Sequence, residues 1–167
     1  MAVVQLPFEL HPEIPRGGVV RRRGPESYAR IADECARAAL AFNPPQRVPN
    51  TRLALEAAEL VRLRYPAAFE QLNRSLFEAH FVEGGDIGDP TVVYSLVEEA
   101  GADPEEIRSR RQIGEGRRMV DSSMAAAREA DVTGTPAWLL NGSLLIPGAQ
   151  PRDLFERVVR RLSSRHG

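Results

Sequence analysis

The chain has 167 residues, 22 basic and 23 acidic side chains, a net charge of −1 and 43% hydrophobic residues. Those values fit one globular domain with its own core, and they give no global field to draw nucleic acid or an anionic membrane. A single cysteine, Cys35, excludes an intramolecular disulfide, a C-x-x-C pair within these residues and a multi-cysteine zinc site, and the complete absence of lysine excludes Schiff-base, P-loop and Ser–Lys chemistry.

Met1 to Glu9 lacks a basic n-region and carries only a brief apolar run, so it does not read as a signal peptide. No stretch approaches the ~20 apolar residues of a membrane span. Soluble, cytoplasmic residence is the expectation, with no membrane and no nucleic acid among the partners.

Ala2 to Phe8 predicts a short strand closed by Pro7, followed by an irregular proline- and glycine-rich stretch to Pro25 that includes the triplet Arg21 to Arg23. From Glu26 the period becomes helical: Tyr28, Ile31, Ala32, Cys35, Ala39 and Phe42 form one stripe, stopped by Asn43-Pro44-Pro45. Asn50 or Thr51 caps the next helix, with Leu53, Ala57, Leu60, Val61 and Arg64 on its stripe. Pro66 opens a third, with Phe69, Leu72, Leu76, Phe77, His80 and Phe81 on one side. Asp89-Pro90 and Asp103-Pro104 are both an N-cap followed by proline at the first helical position. The second of these helices is interrupted at Gly114 and Gly116 and resumes through Met119, Val120, Met124 and Ala127. At Asp131 the texture changes. Thr135 to Leu140 and Ser143 to Pro147 flank Asn141-Gly142, the signature of a two-residue hairpin turn. Pro151 starts a last helix with Leu154, Phe155, Val158, Val159 and Leu162 inward. There are no repeats.

Few residues offer chemistry. Cys35 falls mid-helix on the apolar stripe, away from the helix N-terminus or cation that activates a thiolate, and reads as core. His80, Glu83, Asp86 and Asp89 resemble a metal cluster in outline only: their spacing fits no known site type, and Asp89 has a capping role. Gly114-Glu-Gly116 lacks both a preceding strand and a third glycine, so it is no nucleotide loop. The arginine clusters at 21–23, 108–118 and 157–165 read as solvated faces, with a minor alternative of an anion site at the first. Thr135-Pro136, preceded by Gly134, fits either a cis peptide or an ordinary trans proline at a strand start.

Gly134-Thr-Pro-Ala-Trp-Leu-Leu-Asn-Gly142 with Pro147-Gly-Ala-Gln-Pro151 resembles the cis-proline loop, hairpin and last-helix start of the DsbA-like thioredoxin-fold family. Pro7-Phe-Glu-Leu10 with Pro12 and Pro15 is similar to the second-strand segment of its FrnE-like cytosolic branch. Arg47-Val-Pro-Asn-Thr51 and Asp86-Ile-Gly-Asp-Pro90 are similar to that branch's helical insertion. The resemblance implies an α/β, thioredoxin-like fold with a large helical insertion, N-terminally truncated: a single domain over 1–167, with 1–24 and 131–167 the thioredoxin portion and 25–130 the insertion. The strand and C-x-x-C motif that open the family pattern have no counterpart here, and Cys35 does not match the nucleophile position. The implied function is therefore that of a DsbA-family thiol-disulfide oxidoreductase lacking its catalytic segment and redox-inactive as written. The alternatives are a non-catalytic peptide- or protein-binding module and a relative of the glutathione-dependent hydroxychromene-carboxylate isomerases.

By the same resemblance Thr135 and Pro136 are the substrate-binding residues, expected to be joined by a cis peptide and to hold extended polypeptide. No catalytic residue and no metal ligand are assigned. No cofactor is expected beyond glutathione, for which Asn50 is the matching contact. Without its central first strand the sheet would leave two edges open, to be filled by Ala2–Phe8 beside Thr135–Leu140 or by a strand from a second copy of the chain.

Overall fold

The computed structural model describes residues 3–20 and 28–163. The chain divides into two compact units, Met1–Ser123 and Met124–Gly167. The first contains β1 (Val19–Val20), α1 (Ala29–Arg37), β2 (Arg47–Val48), α2 (Arg52–Arg64), α3 (Pro66–Phe81), α4 (Pro90–Glu99), α5 (Pro104–Gln112) and the start of α6 (Glu115–Glu129). The second holds the end of α6, β3 (Ala137–Leu140), β4 (Leu144–Pro147) and α7 (Arg152–Ser163).

In the first unit α2 is the central helix, packing against α3, α4 and α5. Leu60, Val61, Leu72, Val93, Val97, Ile107 and Val120 are fully buried, each side chain contributing about 1.5–3 kcal/mol of apolar burial. The sequence fixes these helix starts locally. Asp89 accepts a hydrogen bond from the Thr91 amide at 2.7 Å and Asp103 from the Glu105 amide at 2.9 Å, each with proline next in the chain.

Two glutamates lie within this helical core. Glu59 takes both its bonds from Arg62, at 3.0 and 2.5 Å. Glu56 is sandwiched between arginines: Arg52 Nε donates to its Oε1 at 2.8 Å, and Arg111 Nε stands 2.8 Å from its Oε2 without hydrogen-bond alignment. Arg52 extends the network to Glu9 at 3.1 Å and Asp121 at 2.6 Å. This network ties the 9–16 segment and α6 to the start of α2.

Several expectations are corrected. Residues 3–8 pair with no described strand, and Val3, Val4 and Leu6 are exposed; an extended segment without a ladder partner is not a strand. The helix expected from Glu26 to Phe42 ends at Arg37. The Leu40 amide bonds Cys35 O and the Ala39 amide bonds Ala36 O, a Schellman closure with Ala39 at φ 54° in the position glycine usually fills. Phe42 leaves the helical stripe and packs instead against Tyr28 and Phe81. No residue of α1 is fully buried, so Cys35 is half-buried and not core. Arg64 is exposed and pairs with Glu106. Gly114, at φ 78°, ends α5, whereas Gly116 lies inside α6. The Arg21–Arg23 triplet and the Glu26 helix start lie outside the described residues.

In the second unit β3 and β4 form an antiparallel hairpin in which Trp138 faces Ile146 and Leu140 faces Leu144. Asn141 (φ 50°) and Gly142 (φ 70°) supply the expected positive-φ turn, closed by the Ser143 amide on Leu140 O. The ladder resumes at Leu144 rather than Ser143, so the connection is three residues, with Ser143 the extra one. Phe155 of α7 meets Trp138 edge-on at 5.1 Å, and the inward residues expected on α7 are half-buried. Among the described residues no helix is long and apolar enough to cross a membrane.

Candidate functional site

Thr135 and Pro136 sit exposed at the head of β3, and the peptide bond between them is cis. The Pro136 carbonyl accepts a hydrogen bond from the Gly148 amide at 2.8 Å, and Leu140 O accepts from Ser143. Both therefore point toward β4. Because backbone groups alternate sides along a strand, Ala137 and Leu139 turn their N–H and C=O groups to the outer edge of β3. No described residue pairs with that edge. Pro136 precedes the strand, so its missing N–H removes no donor from that row.

The outer edge of β4 differs. By the same alternation Leu145 and Pro147 face outward, and Pro147 has no N–H to give. The hairpin thus has one edge equipped with a full set of donors and acceptors and one blunted by proline. Both faces are apolar, and Trp138, Leu139 and Leu144 remain 40%, 47% and 42% exposed. Strands apolar on both faces are the pattern of a sheet interior rather than of a free ribbon. Thr135 and Pro136 are legible in the sequence. Ala137 and Leu139 are not singled out there, although they are the residues that alternate with Trp138 and Leu140 along the expected strand.

The remaining candidates are placed elsewhere. Asn50, in the first unit, has both ends of its amide engaged within the protein: Nδ2 donates to Ile14 O at 2.5 Å and Oδ1 accepts from the Arg52 amide at 3.1 Å. His80 is half-buried against Phe81, with Nδ1 3.4 Å from Gly85 O; burial pushes its imidazole below the ordinary histidine value. Asp86 accepts from the Gly88 amide and Asp89 caps α4. Among the described residues no three His, Cys, Asp or Glu side chains converge on a metal-sized site.

Comparison with known proteins places these features in context. Residues 1–160 match the family described as DSBA-like thioredoxin domain. The chain is 31% identical over 112 residues to the uncharacterized protein YwbO of Bacillus subtilis, covering 66% of this chain and 54% of that one; it spans about half the length of that relative. Among solved structures it superposes on a probable DsbA oxidoreductase, SCO1869 of Streptomyces coelicolor, with a TM-score of 0.78 and 20% identity over 92% of this chain and 72% of the other. It also superposes on a putative protein disulfide isomerase of Nitrosomonas europaea, with a TM-score of 0.70 and 17% identity over 90% and 80% of the two chains.

Proposed function

The chain belongs to the DSBA-like thioredoxin domain family and has the DsbA-like thioredoxin fold, helix-rich with small sheets, and on that premise we propose that these 167 residues act as a DsbA-type polypeptide-binding module. The module captures extended backbone along β3 at Thr135–Pro136 and carries out no dithiol exchange of its own. The carrying observation is the outward row at Ala137 and Leu139, next to the exposed Thr135 and Pro136, a ready template for one added antiparallel or parallel strand. Its apolar flanks, Trp138 and Leu139, suit alternate apolar side chains of an unfolded substrate. Residence in a reducing compartment, the cytoplasm, agrees with the lone thiol.

Proline substitution separates the two edges. Leu139→Pro deletes an outward donor on β3 and Leu145→Pro deletes one on β4, neither of them a donor of the β3–β4 ladder. Leu139→Pro is expected to weaken binding of a reduced, unfolded polypeptide by about tenfold, the loss of roughly 1.4 kcal/mol of edge pairing, while Leu145→Pro retains it. Fluorescence anisotropy of a labelled extended peptide reads the difference, with circular dichroism checking both folds. Equal losses would remove the edge from the reading. Self-pairing of two copies through β3 is the competing occupancy, and it would show as a dimer in sedimentation that Leu139→Pro dissolves.

The redox side is tested by insulin reduction. Exchange needs an attacking thiolate and a resolving thiol within reach, and the sequence holds one cysteine, half-buried on α1. The 167-residue chain and its Cys35→Ala variant are expected to be equally inactive. Turnover that disappears with Cys35→Ala would make Cys35 the active thiol and overturn the assignment.

A further inference from the structure

The first unit contains a cleft of about 510 Å³, within the ~300–1,000 Å³ range of small-molecule sites. It is built from four stretches distant in sequence: the 9–16 segment, the start of α2, the turn before α4, and the α5–α6 region. Arg16, Arg52, Arg111 and Arg117 line it beside two carboxylates, Glu9 and Glu56, and Asp121 pairs with Arg52 from outside the lining, so among the described residues one positive charge is in excess (four less three).

The pairing within the cleft shows which charges are spent. Arg52 is consumed by Glu9, Glu56 and Asp121 together. Both Glu56 oxygens are taken, one by Arg52 and one by the contact with Arg111. Arg111 Nε, though fully buried, has no hydrogen-bond partner there. The side chains of Arg16 and Arg117 form no hydrogen bond or ion pair with any described residue, so these two guanidiniums are the ones open to a ligand. The rest of the lining adds the carbon of Pro12, Leu53 and Pro90, together with Gly88 and Asn50, whose amide is already engaged by Ile14 O and the Arg52 amide.

Two unpaired guanidiniums in a cleft that also presents the carbon of Pro12, Leu53 and Pro90 match a ligand with two anionic ends and a short hydrocarbon spacer, since arginine forks take carboxylates bidentately. We propose that this cleft binds a small dicarboxylate, with Arg16 and Arg117 as its charge partners. The site lies wholly within the first unit and stands independently of the peptide-binding reading of β3. It also revises the expectation for the 108–118 arginines: Arg111 and Arg117 face a cleft as well as solvent.

Calorimetric titration of the full chain with succinate, succinamide and inorganic phosphate tests the assignment. Succinate is expected to bind with a Kd of about 1 mM or tighter and to weaken as salt rises, with phosphate and neutral succinamide at least ~10-fold weaker. Arg16→Gln with Arg117→Gln should weaken succinate by about tenfold or more, whereas Arg74→Gln on α3, outside the cleft, leaves it unchanged. Amide chemical shifts of the unsubstituted chain give a readout that does not depend on the variants, with succinate perturbing Asn50, Gly88 and Arg117. No binding at about 10 mM, a value well above the Kd range of interest, would overturn the proposal. So would phosphate or succinamide binding as tightly as succinate, an undiminished double variant, or shifts confined to the hairpin.

Discussion

Glu56→Ala is expected to destabilise the protein by about 3 kcal/mol, the low end of the range for breaking a buried ion pair. Glu56 keeps 4% of its side-chain surface in water and holds two guanidiniums, through Oε1 to Arg52 and Oε2 to Arg111. Removing the carboxylate leaves both arginines facing the cavity it vacated, and Arg111 Nε already lacks any other partner. The low end applies because Arg52 and Arg111 are 23% and 34% exposed and recover part of their hydration. Glu56→Gln should cost less, since the amide keeps an acceptor for Arg52 Nε. Arg37→Ala, which removes a pair exposed on both sides, should stay within about 0.5 kcal/mol. Urea midpoints at constant m-value read all three. A Glu56→Ala midpoint equal to that of Arg37→Ala would show that the network contributes nothing beyond an exposed pair.

That network illustrates which parts of the structure were legible in the sequence. Features set by a few consecutive residues were: the Asp-Pro starts of α4 and α5, the positive-φ turn at Asn141-Gly142, and Thr135-Pro136 at the head of β3. Features set by distant partners were not. Glu56 and Glu59 fall outside the apolar stripe of α2, and acids rarely lie buried; Glu56 does so between Arg52, one turn back, and Arg111, 55 positions on. The end of α1 was missed because Ala39 adopts the left-handed conformation with no glycine to signal it. The segment at 2–8 has the local pattern of a strand, but the described residues supply no partner for it. At the candidate site the proline was visible and the outward row was one step of strand geometry away. The arginine cleft was invisible, because it is assembled from four separate stretches.

Leu60→Ala is expected to cost about 2–5 kcal/mol, and its coupling to Gly116 tests how α6 is held on α2. Leu60 is fully buried, and its Cδ1 lies 3.1 Å from the position a Cβ on residue 116 would occupy. Glu56 Cβ and Glu56 O each lie 3.0 Å from that position, so the two helices meet at a spacing tighter than a methyl group ordinarily takes, and an alanine there would push its neighbours back. The sequence marked Gly116 as a helix break; its role is this close approach. Gly116→Ala gains about 1 kcal/mol of helix propensity and loses about 1–3 kcal/mol to overpacking, for a net destabilisation. Combined with Leu60→Ala, the added methyl enters space the leucine vacates, so the double variant should lose less than the sum of the singles by at least about 0.5 kcal/mol. Relief stays incomplete because the contact with the Glu56 backbone oxygen persists whatever occupies position 60. Strict additivity in a urea-denaturation cycle would mean that Leu60 yields freely to the alanine, leaving the Glu56 backbone as the element that fixes the α2–α6 distance.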